Sequence, residues 1–169
     1  MNTDQYDILV AAAKKKDTTA FSKLYKLVYM DLYKFAFYTL KSKEDAEDIV
    51  SDTVLSAFNN INKLRKNSSF KYWIFKILTN KCKSKLKEYS KEKLLPLDNN
   101  IEFLHKDLSE SNDLKNAFST LSSEERLMIS LSIFAGYTSI EISKLLKVNA
   151  NTVRSKISRG LKKMEPLLK

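Results

Sequence analysis

Only two glycines and two prolines occur in 169 residues, and this scarcity constrains the fold more than any other feature. Tight hairpins place glycine, asparagine or proline at positions of special φ. A chain so poor in turn formers cannot build an all-β fold of many short hairpins. It is expected to be all-α, with helices joined by polar connections. The length suits one ordinary domain or two small ones. An apolar share of 43% is that of a folded protein.

Apolar residues recur at helical spacing through most of the chain. A first helix is predicted over residues 3–16, with Tyr6, Leu9, Val10 and Ala13 on one face. A second, over 18–40, carries Phe21, Leu24, Tyr25, Val28, Leu32, Phe35 and Ala36, an aromatic-rich stripe that reads as the centre of a core. Ser42, three residues before Asp45, reads as a capping box opening a third helix through Val50, Leu55 and Ile61. After LRKNSSF, Ser68 or Ser69 can cap a fourth helix, with Phe70, Trp73, Ile74, Ile77, Leu78, Cys82 and Leu86 inward. Cys82 then reads as a small buried apolar group, and as the only cysteine it excludes an intramolecular disulfide.

From about residue 88 the pattern fails. The stretch to 112 is net acidic, holds Pro96 and a DNN turn signal, and reads as a flexible linker. Leu94, Leu95, Leu97, Ile101, Phe103 and Leu104 make it apolar enough to lie along a groove, and the lone His105 reads as a surface residue. The expected organisation is therefore a helical bundle over 1–88, a linker over 89–111 and a smaller helical unit over 112–169. In that second unit a helix near 113–119 precedes two capping boxes, Ser122 with Glu125 and Thr138 with Glu141. Gly136 falls where a left-handed helix C-terminal residue belongs.

The formal net charge of +10 favours a polyanionic partner. No stretch is apolar enough to span a bilayer, and the start lacks a signal-peptide pattern, so a cytoplasmic location without membrane insertion is expected. A phosphate-binding glycine loop, a Cys/His metal set and a Ser/His/acid grouping are all absent from the sequence. An enzyme is therefore the least favoured reading, and neither cofactor nor metal is expected.

Two constellations remain. The first is a short helix with Ile142, Leu145 and Leu146, a turn at Lys147, Val148 and Asn149, and then a cationic helix capped by Asn149: helix-turn-helix order. With Val153, Ile157 and Leu161 inward, the residues Asn151, Ser155, Ser158 and Lys162 point outward, flanked by Arg154, Lys156 and Arg159. Asn, Ser and Arg hydrogen-bond base edges, whereas Lys, Thr152 and the capped N-terminus suit phosphates. The second is a contrast of charge. Glu44, Asp45, Glu47, Asp48 and Asp52 crowd the third helix, but 53–87 contains no acid, only Lys63, Arg65, Lys66, Lys71, Lys76, Lys81, Lys83, Lys85 and Lys87 with Phe70, Tyr72, Trp73 and Phe75 between them. Lysines interleaved with aromatics suit single-stranded or distorted nucleic acid. Helical phase assigns Phe70 and Trp73 to the core and leaves Tyr72 on the surface.

At this point the chain resembles the extracytoplasmic-function class of bacterial sigma factors, the promoter-recognition subunits of RNA polymerase. AFSKLYKLVYMDLYKFAFYTLKSKEDAEDIVSDTVLSAF is similar to the family's polymerase-binding region, SSFKYWIFKILTNKCKSKL to its −10-reading segment, and the stretch from LSSEER to GLKKM to its −35-reading domain. The resemblance implies that Glu44, Asp45, Asp48 and Asp52 form the core-polymerase surface, with Asp48 and Asp52 against the clamp helices of the largest subunit. It implies that a loop including Arg65, Lys66, Ser68 and Ser69 holds a flipped −10 base beside Lys71, Tyr72, Lys76, Asn80 and Lys83. It further implies that Asn149, Asn151, Thr152, Arg154, Ser155, Lys156, Ser158, Arg159 and Lys162 sit at the −35 major groove, and that the linker runs toward the RNA exit path. Core RNA polymerase, promoter DNA and an anti-sigma factor are the partners it implies. Lys147 stands at a common turn glycine and Asn151 where glycine is frequent. Read from the residues alone, a dimeric helix-turn-helix regulator and a helical protein–protein adaptor stay open.

Overall fold

Each helix starts where a side chain can hold its first free N–H groups. The computed structural model describes residues 3–92 and 112–168. Helix α1 (Thr3–Lys14) leads to α2 (Thr18–Leu40), capped by Asp17, whose carboxylate accepts from Ala20 N at 3.0 Å. Ser42 caps α3 (Lys43–Asn60) in the same way through Asp45 N at 3.2 Å. Two 3-10 turns, Ile61–Lys63 and Asn67–Ser69, then lead into α4 (Phe70–Glu92). The second of them opens α4 through a bond from Phe70 N to Asn67 O, where the sequence suggested a serine cap.

In the second unit α5 (Asn112–Ser119) precedes α6 (Ser123–Ile133), α7 (Ser139–Leu146) and α8 (Ala150–Met164). The boxes Ser122–Glu125 and Thr138–Glu141 are both complete, and Asn149 caps α8 by accepting from Asn151 N at 2.8 Å. Gly136 turns the chain at φ 72°. With so few glycines, lysines occupy the other left-handed positions among the described residues: Lys16 at 69°, Lys41 at 62° and Lys147 at 57°. Their Cβ atoms make this costly, by roughly 1–2 kcal/mol each.

Helix α4 passes the expected end of the first unit at residue 88 and runs to Glu92. Leu86 and Tyr89 continue the stripe of Leu78 and Cys82 against the core, and that packing outweighs the polar composition of its last turn. The linker expectations, including the groove-seeking leucines and His105, lie outside the described residues.

Helix α2 is the axis of the first unit, with Leu24, Val28, Leu32, Phe35 and Tyr38 fully buried. Phe35 meets Phe75 of α4 edge-on at 5.7 Å, and Phe21 meets Phe58 of α3 at 5.1 Å. Phe70 and Phe75 are in the core, and Trp73 packs partly buried against Phe70 at 6.2 Å. In the second unit Phe118, Ile129, Leu131, Ile142 and Val153 close a smaller core.

The two units also touch. Tyr38 lies against Phe118 at 4.5 Å and is stacked on Phe134 at 5.5 Å. Arg126 donates from Nε to Thr39 O at 3.1 Å and from Nη1 to Leu121 O at 2.7 Å, so its guanidinium clips α6 to the end of α2. Tyr137 donates its hydroxyl to Tyr72 O at 2.8 Å.

The inward stripe of α8 corrects the sequence reading. Steps of four advance by about 40° beyond a full turn, so a third residue at that spacing has rotated well off the axis of the first. Leu161 is accordingly 44% exposed, while Gly160 and Met164 take the inward positions after Val153 and Ile157. A Cβ at Gly160 would stand 2.5 Å from Ile129 Cδ1 and 3.4 Å from Leu121 Cδ2, so the missing side chain lets α8 lie close on α6. Gly160→Leu is expected to destabilise the second unit by about 1–3 kcal/mol through overpacking. Urea melts of the two chains test this, and equal midpoints would contradict it.

Candidate nucleic-acid and protein interfaces

The outward face of α8 is assembled by its register. Asn151, Ser155, Ser158 and Lys162 follow each other at three- and four-residue steps and are all exposed, with the exposed Arg154, Thr152 and Arg159 at the flanks. Arg154 Nη1 donates to Asn151 Oδ1 at 2.8 Å, and Arg159 Nε to Ser155 O at 3.3 Å. These bonds hold both guanidinium groups along the helix instead of leaving them free to sample solvent. Two residues expected on this face have other tasks. The Asn149 amide oxygen is used as the helix cap, and Lys156 is half-buried and paired with Glu124 of α6. Lys163 likewise pairs with Glu125 at 2.8 Å. Burial opposes ionisation of Glu125, but the Lys163 and Ser122 hydrogen bonds outweigh it and hold the carboxyl below the ordinary range.

The basic stretch divides into a loop and a helix face. Arg65 and Lys66 are exposed, while Ser68 and Ser69 are half-buried in the 3-10 turn. On α4, Tyr72, Lys76, Asn80 and Lys83 follow at steps of four, four and three, and so share one face. Lys71 is directed elsewhere: its ammonium pairs with Asp31 at 2.9 Å and lies 5.9 Å from the Phe75 ring centroid. The Tyr72 ring is 37% exposed, and one face of it is stacked on Tyr137 at 4.8 Å. Lys83 faces a small cleft of about 220 Å³ shared with Ser123, Glu124 and Leu127. The second unit therefore covers part of the −10 face expected from the sequence.

The acids of α3 separate similarly. Glu44, Asp48 and Asp52 are exposed. Asp45 is half-buried, accepts the Tyr89 hydroxyl and pairs with Lys85 at 3.2 Å, so it ties the start of α3 to the end of α4. Burial raises its pKa, but the bonds from Tyr89 and Lys85 outweigh burial and lower it overall. Tyr89 is pushed the other way, first by burial and then by the adjacent carboxylate. Asp48 and Asp52, with Asp45, line one wall of a cleft of about 470 Å³ whose other wall is Asn80, Lys81, Ser84, Lys85 and Glu88. The acids of α3 thus face Lys81 and Lys85 across an open groove.

Three residues at these sites were not singled out from the sequence: Tyr89, Tyr137 and Lys14, whose ammonium donates to Leu64 O beside Arg65 and Lys66. Tyr89 carried a usable signal, because it prolongs the apolar stripe of α4. The other two act across the fold and leave no local trace. Cys82 is buried, which raises its thiol pKa, and no group of His, Cys, Asp and Glu among the described residues can hold a metal ion. No helix among them is long and apolar enough to cross a membrane.

Known proteins share this arrangement. Residues 24–92 match Sigma-70 region 2, and residues 111–164 match Sigma-70, region 4. RNA polymerase sigma factor SigV of Bacillus subtilis is 31% identical over 137 residues, which cover 79% of this chain and 82% of that protein. ECF RNA polymerase sigma factor SigM of Mycobacterium tuberculosis is 25% identical over 162 residues, 95% of this chain and 83% of that protein. Among solved structures, the sigma factor RpoE in complex with the anti-sigma factor NepR from Bartonella quintana superposes with a TM-score of 0.72 at 25% identity, covering 88% of this chain and 96% of that one. CnrH in complex with the cytosolic domain of CnrY has a TM-score of 0.68 at 21% identity over 97% of each chain, a likeness of fold.

Proposed function

Because the chain belongs to the extracytoplasmic-function class of RNA polymerase sigma factors and directs promoter-specific transcription initiation, we propose a division of that task among its surfaces. Asp48 and Asp52, with Glu44 beside them, dock on a basic surface of core polymerase. Asp45 shapes this surface from below, since its carboxylate is engaged by Tyr89 and Lys85. The loop carrying Arg65, Lys66, Ser68 and Ser69 holds one unpaired −10 base. Lys76, Asn80 and Lys83 follow the neighbouring strand, and Tyr72 joins them once Tyr137 is displaced. The exposed face of α8, with Asn151, Arg154, Ser155, Ser158 and Arg159, reads the −35 major groove, while Thr152 and Lys162 hold phosphates.

The reading is carried by one observation: a capped helix follows a shorter one after a three-residue turn and keeps an unbroken polar, cationic face exposed. No bond is made or broken by this chain, which acts as an initiation factor and not as an enzyme. Extruding a base costs on the order of a few kcal/mol, which pocket contacts and lysine–phosphate attraction offset. By likeness to RpoE, an anti-sigma factor is a further partner, and as a sigma factor the chain acts where RNA polymerase does, in the cytoplasm.

Run-off transcription with purified core polymerase and genomic DNA tests this, through initiation at a defined set of start sites. Absence of chain-dependent transcripts would overturn it. Arg159→Ala is expected to weaken promoter binding by a factor equivalent to about 1–3 kcal/mol, the worth of one good base contact, and to leave core affinity unchanged. Filter binding of holoenzyme to a mapped promoter reads the first, and titration of core polymerase reads the second.

A further inference from the structure

Helix α1 lies before the stretch that matches Sigma-70 region 2, so the comparisons give it no task. In the structure it reaches the loop between the two 3-10 turns. Lys14 Nζ donates to Leu64 O at 2.7 Å and to Asn67 Oδ1 at 2.7 Å. One ammonium thus bridges the two ends of a four-residue segment whose middle residues, Arg65 and Lys66, are exposed. Asn67 is held from its other side as well, its Nδ2 donating to Asp7 O at 3.5 Å. Beneath it Tyr6 of α1 packs on Phe70, the first residue of α4, at 6.4 Å.

Burial of Leu64 anchors the first residue of the loop, but its exposed middle has little besides this brace to fix its shape. Its own backbone bonds are short-range, Leu64 N to Ile61 O at 3.1 Å and Ser69 N to Lys66 O at 3.0 Å, and they belong to the flanking 3-10 turns. Between them Lys66 is extended, at φ −114° and ψ 116°. An extended link between two short turns is free to hinge unless a third point holds both sides. A charge-assisted pair of hydrogen bonds from a lysine anchored on a separate helix supplies that point.

We infer that Lys14 is a positioning residue for promoter opening: it fixes the curvature of the 64–67 loop and thereby preforms the cup that receives the extruded −10 base. This rests on the base-capture reading above and adds to it the part played by α1. A preformed cup does not have to be ordered when the base arrives, so losing the brace lowers affinity for the unpaired base without touching it.

The test uses the full chain, alone and with core polymerase, as wild type, Lys14→Met, Lys14→Arg and Asn67→Ala. Hydrogen exchange of the free chain should show the amides of 65–69 opening about tenfold faster in Lys14→Met, with the other helices unchanged. In holoenzyme, a −10 non-template oligonucleotide from a mapped promoter, scanned with 2-aminopurine, should show one unstacked position. Its signal and affinity should fall about tenfold in Lys14→Met and Asn67→Ala and return in part with Lys14→Arg. Core affinity should not move. Wild-type exchange and wild-type base binding in Lys14→Met, with Asn67→Ala impaired, would overturn the role of Lys14 and leave base capture standing. Equal unstacking by all four chains would overturn the role of the brace and leave base capture standing; if the wild-type holoenzyme unstacks no position, base capture itself falls, and the inference with it. Should Lys14→Met not fold, Lys14→Arg and Asn67→Ala carry the same comparison.

Discussion

Reversing two charges, Asp48→Arg with Asp52→Arg, is expected to abolish assembly with core polymerase while the chain stays folded. Both carboxylates stand one turn apart on α3, exposed, and among the described residues neither makes an ion pair. Their charge is unspent within the fold, unlike that of Asp45, which Tyr89 and Lys85 already engage. Truncating one partner of a close charge pair at an interface costs about 2–5 kcal/mol, and opposing two like charges adds repulsion to that loss. Core affinity should therefore fall by roughly a thousandfold or more. Fluorescence-anisotropy titration of labelled chain with core polymerase gives the number. Affinity within a few-fold of wild type would remove α3 from the docking surface. The melting temperature controls for folding, and Asp45→Ala is the instructive contrast. That change should lower stability by unfastening α4 from α3, because it removes the acceptor of the Tyr89 hydroxyl and leaves Lys85 paired only with Glu88 of its own helix.

The second large effect concerns the seam between the units. Tyr38→Ala removes a ring with no exposed surface, held between Phe37 on its own helix and Phe118 and Phe134 of the second unit. Removing a fully buried aromatic of this size costs about 3–5 kcal/mol, with a cavity that the flanking helices cannot fill without moving. What then remains across the seam includes the Arg126 clip, the contacts of Tyr137 with Tyr72 and Phe75, and the Lys115 ammonium over the Phe37 ring. The expected result is separation: a larger radius of gyration in solution scattering, and two melting transitions where the wild type has one. Unchanged scattering and a single transition would show that the remaining seam contacts suffice. The seam also matters for promoter reading. The face of Tyr72 that is stacked on Tyr137 cannot stack on a base at the same time, so full use of the α4 face requires the units to part.

These cases show where the sequence was informative. The acidic face of α3, the basic run of α4 and the helix-turn-helix order were legible because they are patterns of neighbours, three or four residues apart. The helix starts were legible for the same reason: Ser122 with Glu125 and Thr138 with Glu141 cap their helices as written in the chain. The inward stripe of α8 was misread at Leu161 because equal steps of four were followed past the point where the helix has turned away. Asp45 shares a helix face with Asp48 and Asp52, three and seven residues on, so periodicity groups them; what sets it apart is the end of α4, whose Tyr89 and Lys85 reach its carboxylate.

By itself, then, the sequence determined what each segment is: all-α, capped at stated residues, acidic on one helix and cationic on two others, because those properties follow from spacings within a single turn. Only the tertiary structure decided which of the charged residues remain available. Lys156 is spent on Glu124, Lys71 on Asp31, Asp45 on Tyr89, and Lys14 on a loop 50 residues away. Such pairings depend on how helices stack, and no local periodicity encodes which side chain will meet another across a core.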